Sequence, residues 1–132
     1  MKITVLGSGG WGTALSVLLH NNGNQVTLWS FLAQEAETLR TTRENPMLKG
    51  VALPEGLTFV NTFDSVADSD MVVFATPSFA VRQTAKNAAP FVKPGTIIVS
   101  VTKGIEAGTG LRWWNVRMET ASQPITWSSP CP

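Results

Sequence analysis

Three glycines spaced G-x-G-x-x-G, at Gly7, Gly9 and Gly12, stand between a short apolar run and a stretch with helical spacing. The run Lys2-Ile3-Thr4-Val5-Leu6 is β-branched and stopped by glycine, as a buried strand is. The stretch from Trp11 to Asn22 has apolar residues at Ala14, Leu15, Leu18 and Leu19, which places one helix face against a sheet. Glycine-rich turns are common, and the pattern alone also describes a plain strand-to-helix turn with no ligand. In this context each glycine has a separate physical task. Gly7 allows the tight turn, Gly9 lets backbone approach an anion, and Gly12 lets helix and strand pack closely. The helix start then offers free N–H groups and a partial positive charge to a pyrophosphate.

The rest of the chain continues in the same style. Asn21-Asn22-Gly23 stops the first helix. Gln25 to Ser30 reads as a second strand and Leu32 to Arg43 as a second helix, with Ala36 and Leu39 inward. Glu44 to Leu57 holds Pro46, Gly50, Pro54 and Gly56 and reads as a loop. Leu57 to Val60 is a short strand and Asp64 to Ala67 a helical turn. Met71 to Ala75 is continuously apolar, as a central parallel strand covered on both faces must be. Phe79 to Ala89 is a helix candidate, and Thr96 to Val101 another central strand. Strands alternating with helices mean a parallel sheet with right-handed crossovers. The expected fold is therefore α/β, a Rossmann-type doubly wound parallel sheet that holds a nicotinamide dinucleotide by its pyrophosphate.

Composition narrows the partners. Of 132 residues 14% are charged and 43% hydrophobic, with a formal net charge of +1. The basic residues form no run, which argues against nucleic acid. No apolar stretch reaches the roughly 18 residues of a membrane span. The start lacks the form of a signal peptide, and the single cysteine, Cys131, has no internal partner. A soluble, cytoplasmic protein with no membrane or nucleic-acid partner is expected.

A standard NAD site has Asp or Glu at the end of the second strand for the ribose hydroxyls, and an NADP site has a nearby cation. Here Trp29-Ser30-Phe31 occupies that place, the nearest acid is Glu35, and no Arg or Lys is present. On these residues the choice between NAD and NADP stays open.

Gly7-Ser8-Gly9-Gly10-Trp11-Gly12-Thr13-Ala14-Leu15 resembles the opening of the NAD(P)-dependent sn-glycerol-3-phosphate dehydrogenases, which carry a tryptophan inside the glycine motif. Three later stretches match in order: Glu44-Asn45-Pro46 with Gly50 and Leu53-Pro54, Ala75-Thr76-Pro77-Ser78, and Thr102-Lys103-Gly104-Ile105-Glu106. The resemblance covers about residues 1 to 110. It implies reversible hydride transfer between the nicotinamide and dihydroxyacetone phosphate, giving sn-glycerol 3-phosphate. It also implies that Gly10 and Trp11 contact the cofactor diphosphate through their backbones, although bacterial relatives often carry Ser where Gly10 stands. Phe31 matches an aromatic that packs near the adenine in some relatives, where others have Arg or His, and an uncharged ring leans toward NAD. Ser78 and Phe79 fall near the nicotinamide half. Lys103 is implied as the catalytic residue, reaching both nicotinamide and substrate, where an ammonium can stabilise a developing alkoxide. The tryptophan in the glycine loop and Thr102-Lys103-Gly104 separate this family from dehydrogenases of ketopantoate or 6-phosphogluconate type.

Other residues read as structural. His20 has a helix-surface or packing role, Trp29 belongs to the core, and Asp64, Asp68 and Asp70 cap or lie on the surface, so no metal site is expected. From about Leu111 the character changes, with Trp113, Trp114 and Trp127 close to the end. Residues 1–111 are expected to form the dinucleotide-binding domain, and residues 112–132 an unassigned tail departing from the family pattern. That departure fits a truncated or frame-shifted reading frame. The helical domain that follows in the family, with a second lysine and the substrate-phosphate groups, is expected to be absent. Such a chain should bind nucleotide weakly, turn over negligibly, and self-associate through an exposed sheet edge. The second reading is a non-catalytic nucleotide-binding module whose tail docks a partner.

Overall fold

The computed structural model describes residues 1–104 and 106–110. Five strands form one sheet: β1 (Lys2–Leu6), β2 (Gln25–Trp29), β3 (Thr58–Val60), β4 (Met71–Phe74) and β5 (Ile97–Ser100). Their order is β3-β2-β1-β4-β5 and every pairing is parallel. Four helices connect them: α1 (Gly10–Asn21), α2 (Ala33–Thr42), α3 (Asp64–Ala67) and α4 (Val81–Ala88), the last flanked by 3₁₀ turns at Ser78–Ala80 and Ala89–Phe91. The chain winds outward from β1 to β3, then crosses back to start again at β4 on the other side of β1. That reversal opens a crevice past the carboxyl ends of β1 and β4, where α/β sheets of this kind bind ligands.

The two faces of the sheet bury different residues, because successive side chains of a strand point to opposite sides. On one face Ile3, Val5, Val26, Leu28 and Val73 pack with Leu39 of α2, with Val17 and Leu19 of α1 against them. On the other, Leu6, Trp29, Val72, Phe74 and Ile98 pack with Val66 of α3 and Ala85 and Ala88 of α4. The fold is thus the doubly wound Rossmann-type sheet expected from the alternation of elements. Thr4 faces the second cluster and keeps its hydroxyl satisfied on Ser69 Oγ at 2.7 Å.

The inward face of α1 differs from the amphipathic reading. Gly12, Thr13 and Ser16 are its buried residues, Ala14 and Leu15 are half-buried, and Leu18 is 55% exposed. The helix lies too close to the β1 turn for leucines to fit between them, so its contact face is made of small residues. Ser16 pays nothing for burial, since its hydroxyl donates to Gly12 O at 2.8 Å. In α2, Ala36 and Leu39 are inward as expected, each 2% exposed. That helix ends with Arg43 in the left-handed region (φ 54°). Its guanidinium donates to the carbonyls of Pro54 and Leu57, which ties the long loop after α2 back to its root.

Thr96 to Val101 is expected as another central strand, but among the described residues β5 lies at the sheet edge, with no strand beyond it to cover Ile97, 38% exposed, and Val101, just past its end, 37% exposed. Among the described residues no helix is long and apolar enough to cross a membrane. Cys131, Trp113, Trp114, Trp127 and the proposed boundary at 111 lie outside the described residues.

Candidate functional site

A cavity of about 590 Å³ opens at the crevice between β1 and β4, within the size range of small-molecule and cofactor sites. Its floor is the glycine turn, Gly7 to Trp11. One end is walled by Trp29, Phe31 and Glu35, the other by Ala75 to Ala80 with Val101, Thr102 and Lys103. The candidate residues Gly7, Gly9, Gly10, Trp11, Phe31, Ser78, Phe79 and Lys103 therefore share one cavity. Gly12 is buried beneath the turn and does not line it.

The glycines fit a phosphate cradle for reasons visible at each position. Gly7 has φ +123°, and a Cβ there would stand 2.7 Å from Ala75 O, so no side chain fits between the β1 and β4 turns. At Gly12 a Cβ would overlap the carbonyl oxygen of Gly7 and meet Ala75 Cβ at 3.3 Å. Gly9 lines the cavity, and a Cβ there would meet nothing within 4 Å. A Cβ at Gly10 would reach 3.1 Å from Met47 O, so the long loop presses closely on the helix start. Helix α1 has no side-chain N-cap and no acid in its first turn. The first N–H groups of a helix have no partner within it, and the first backbone bond into this one is Thr13 N to Gly9 O at 3.0 Å. The N–H groups of Gly10 and Trp11, which line the cavity, are thereby left for an anion, assisted by the helix dipole.

Asn45 holds this arrangement from outside. It is 3% exposed, and its amide donates to Ser8 O at 2.8 Å and to Thr13 Oγ1 at 2.7 Å. Its Oδ1 accepts from Met47 N at 2.9 Å, an Asx turn that shapes the loop over the site. With the Ser8 carbonyl held by Asn45, the glycine turn has its N–H groups left over for a ligand. Sequence reasoning quoted Asn45 only as part of a motif. Its Asx-turn chemistry was legible, but the partner 37 residues away was not.

The two ends of the cavity differ in character. Phe31 is 74% exposed and packs edge-on against Trp29, centroids 6.3 Å apart, and Trp29 stacks in turn near Phe63 at 4.8 Å. Trp29 is both core and wall: 4% exposed, in the second cluster, and in the cavity lining. At the other end Phe79 is 82% exposed. Thr76 has a buried hydroxyl with no partner among the described residues, a polar group available to a ligand. Thr102 Oγ1 donates to Thr76 O at 2.8 Å, joining the turns after β4 and β5. Lys103 is exposed beside them.

The loop bearing Lys103 is anchored by an ion pair. Arg82 Nε and Nη2 donate to the two carboxylate oxygens of Glu106 at 2.7 and 2.8 Å, and Thr109 Oγ1 donates to the same carboxylate. These hydrogen bonds, Arg82 first, hold the Glu106 carboxyl at about 2, below its ordinary 4.5. Because the folded value is depressed, the stability that the pair contributes is fully present above pH 4.5 and is lost as pH falls toward 2. We expect a carboxyl-resolved NMR titration to give Glu106 a midpoint near 2, and Arg82→Ala to return it toward 4.5. A midpoint near 4.5 in the unsubstituted chain would show that the anchor does not form.

Three of the residues read as structural make packing, hydrogen-bond or ion-pair contacts. His20 packs on Gly56, where a Cβ would come 2.6 Å from its Cε1. Lys2 pairs through Nζ with Asp68 at 2.7 Å, and its backbone N–H donates to Asp70 at 2.8 Å. Among the described residues no cluster of His, Cys, Asp and Glu could hold a metal.

Comparison with known proteins places these features in one family. The family model for the NAD-dependent glycerol-3-phosphate dehydrogenase N-terminus matches residues 2–127. The chain is 46% identical over 109 residues to glycerol-3-phosphate dehydrogenase (NAD(P)+) 2 of Lactobacillus delbrueckii subsp. bulgaricus, covering 82% of this chain and 32% of the relative. It is 45% identical over 121 residues to glycerol-3-phosphate dehydrogenase (NAD(P)+) of Chlorobium luteolum, covering 90% of this chain and 36% of the relative. The crystal structure of glycerol-3-phosphate dehydrogenase from Coxiella burnetii superposes with a TM-score of 0.84 at 28% identity, over 92% of this chain and 38% of that one. The chain thus spans about a third of the length of the curated relatives it matches. With the family model matched over nearly its whole length, the chain belongs to the NAD-dependent glycerol-3-phosphate dehydrogenase family, as its N-terminal part.

Proposed function

We propose that this chain holds a nicotinamide dinucleotide, NAD in preference to NADP, and serves an enzyme that interconverts dihydroxyacetone phosphate and sn-glycerol 3-phosphate. The observation that carries this reading is the single cavity that brings the glycine turn, the aromatic wall at Phe31 and the Lys103 loop together. The diphosphate rests on the turn Gly7 to Trp11, held by the N–H groups of Gly10 and Trp11 at the start of α1. Gly9 leaves room for close approach, and Gly12 lets the helix reach the turn. Phe31 offers its face to the adenine, and Ser78 and Phe79 border the nicotinamide half. The uncharged Phe31 ring supports NAD over NADP, since it offers nothing to a 2′-phosphate.

When bound, the nicotinamide supplies the hydride exchanged with C2 of the substrate. Lys103 stands at the mouth of the same cavity on a loop tied down at Thr102 and Glu106. Its ammonium donates a hydrogen bond to the oxygen on which negative charge develops, which is the form of stabilisation that raises turnover rather than affinity.

The test joins this chain to the remaining part of the Chlorobium luteolum relative and follows dihydroxyacetone phosphate-dependent oxidation of NADH. Lys103→Ala is expected to lower turnover by about 100-fold or more while NADH affinity changes by less than about threefold. Equal turnover in the variant would remove Lys103 from the chemistry.

A further inference from the structure

The acid that ordinarily reads the ribose hydroxyls of NAD is missing from the end of β2, where Ser30 and Phe31 stand. Ser30 is fully buried, and Phe31 turns outward against Trp29. Asn61 Nδ2 donates to both the Ser30 and Phe31 carbonyls, at 3.0 and 2.9 Å, fixing the backbone there. Yet this is the right place for the adenosine ribose, because Trp29 O accepts from Gly7 N at 3.1 Å and β2 therefore ends directly beside the phosphate turn.

Among the described residues one carboxylate reaches this end of the cavity. Glu35 lies in the first turn of α2, is half-buried, and lines the cavity with Trp29 and Phe31. It belongs to none of the ion pairs found among the described residues. The other acid of that helix, Glu37, is engaged by Arg40.

The cations nearby are committed elsewhere. Arg40 donates to Glu37 and to Phe59 O. Arg43 donates to Pro54 O and Leu57 O and lies over the Phe59 ring. Lys49 does not line the cavity, and the one Lys or Arg among the described residues that does is Lys103. Lys103 follows β5, three strands from β2 in the sheet order, or about 14 Å at ordinary strand spacing. A 2′-phosphate at the β2 end would meet a carboxylate and no counter-charge.

We propose that Glu35 is the specificity-determining residue of this site: its carboxylate accepts the adenosine ribose 2′-hydroxyl and excludes a 2′-phosphate. A hydroxyl can donate to a carboxylate, whereas a phosphate near neutral pH offers charge of the same sign. The role passes from the strand end, occupied by an aromatic, to the first turn of the following helix. The inference rests on the cofactor site proposed above and adds the group that chooses between two cofactors.

The experiment titrates the chain, Glu35→Gln and Glu37→Gln with NADH and with NADPH, following energy transfer from tryptophan to the reduced nicotinamide. The unsubstituted chain is expected to bind NADH about 50-fold or more tighter than NADPH. Glu35→Gln is expected to narrow that ratio to about fivefold or less, by weakening NADH and strengthening NADPH. Glu37→Gln, which removes one equal charge from the same helix outside the cavity, should leave the ratio in place. Similar affinities in the unsubstituted chain, a ratio unmoved in Glu35→Gln, or an equal shift in Glu37→Gln would each overturn the assignment to Glu35 while leaving the cofactor site standing. Binding of neither nucleotide by the folded chain would overturn the cofactor site itself, and Glu35 with it.

Discussion

Gly12→Ala is expected to abolish measurable NADH binding and to destabilise the fold by about 3 kcal/mol. The new methyl group would overlap the Gly7 carbonyl oxygen, stand 2.9 Å from the Gly7 carbonyl carbon and meet Ala75 Cβ at 3.3 Å. Two of those three atoms are backbone of the phosphate turn itself, so no side chain can swing away to make room. The start of α1 must lift from the turn, and the N–H groups of Gly10 and Trp11 then leave the geometry that faces an anion. Binding and stability therefore fall together, which urea unfolding and an NADH titration of the same sample can check. A variant with unchanged midpoint and affinity would show that helix and turn are not packed as described. Gly9→Ala is the natural companion, because its Cβ meets no protein atom within 4 Å. It should fold normally and lose affinity only through the ligand.

Asn45→Ala is expected to cost about 2–3 kcal/mol of stability and about tenfold in NADH affinity. Its amide makes two donor bonds and its oxygen accepts one, all in a nearly buried setting. Truncation leaves the Ser8 carbonyl with the longer bond from Thr13 Oγ1 at 3.3 Å and leaves Met47 N without its acceptor. Two effects follow from one deletion: the glycine turn gains freedom, and the loop carrying Met47 is no longer fixed over the start of α1. Asn45→Asp should be as damaging, since it keeps an acceptor for Met47 N but offers no donor to Ser8 O. Equilibrium unfolding with a parallel NADH titration separates the two effects. Wild-type affinity in both variants would mean that the turn keeps its shape without Asn45.

The strands and their order of appearance were readable from residue types, because central parallel strands must be apolar on both faces. β4 is the clearest case, with Val72 and Val73 almost fully buried, whereas β5 lies at the sheet edge among the described residues and buries Ile98 while leaving Ile97 38% exposed. The glycine turn was equally legible, since its spacing and context carry a specific geometric demand. The face of α1 was not. Amphipathic spacing favours the larger apolar side chains, so Leu18 was placed inward, whereas close approach to Gly7 selects Gly12, Thr13 and Ser16. A periodicity reading has no access to that distance. The sequence after β4 predicts one helix over Phe79 to Ala89, whereas the structure has α4 flanked by 3₁₀ turns, the second of which contains Pro90.

The site divides the same way. The turn formed by a local motif, Gly7 to Gly12, is readable from its spacing. Residues that act through a distant partner are not: Asn45 on Ser8, Thr102 on Thr76, and Arg82 on Glu106 each join segments far apart in the chain. Glu35 was noted as the nearest acid after β2, but that it shares a cavity with Phe31 and Trp29 required the turn of α2 to be in place.

The crevice past β1 and β4 is expected to bind a nicotinamide dinucleotide. Titration of the purified chain with NADH tests it most directly, because Trp11, 69% exposed, and Trp29 both line that cavity. Saturable energy transfer from tryptophan to the nicotinamide, displaced by NAD and lost in Gly12→Ala, is the result predicted. No transfer from a chain whose circular dichroism shows the folded α/β domain would contradict it.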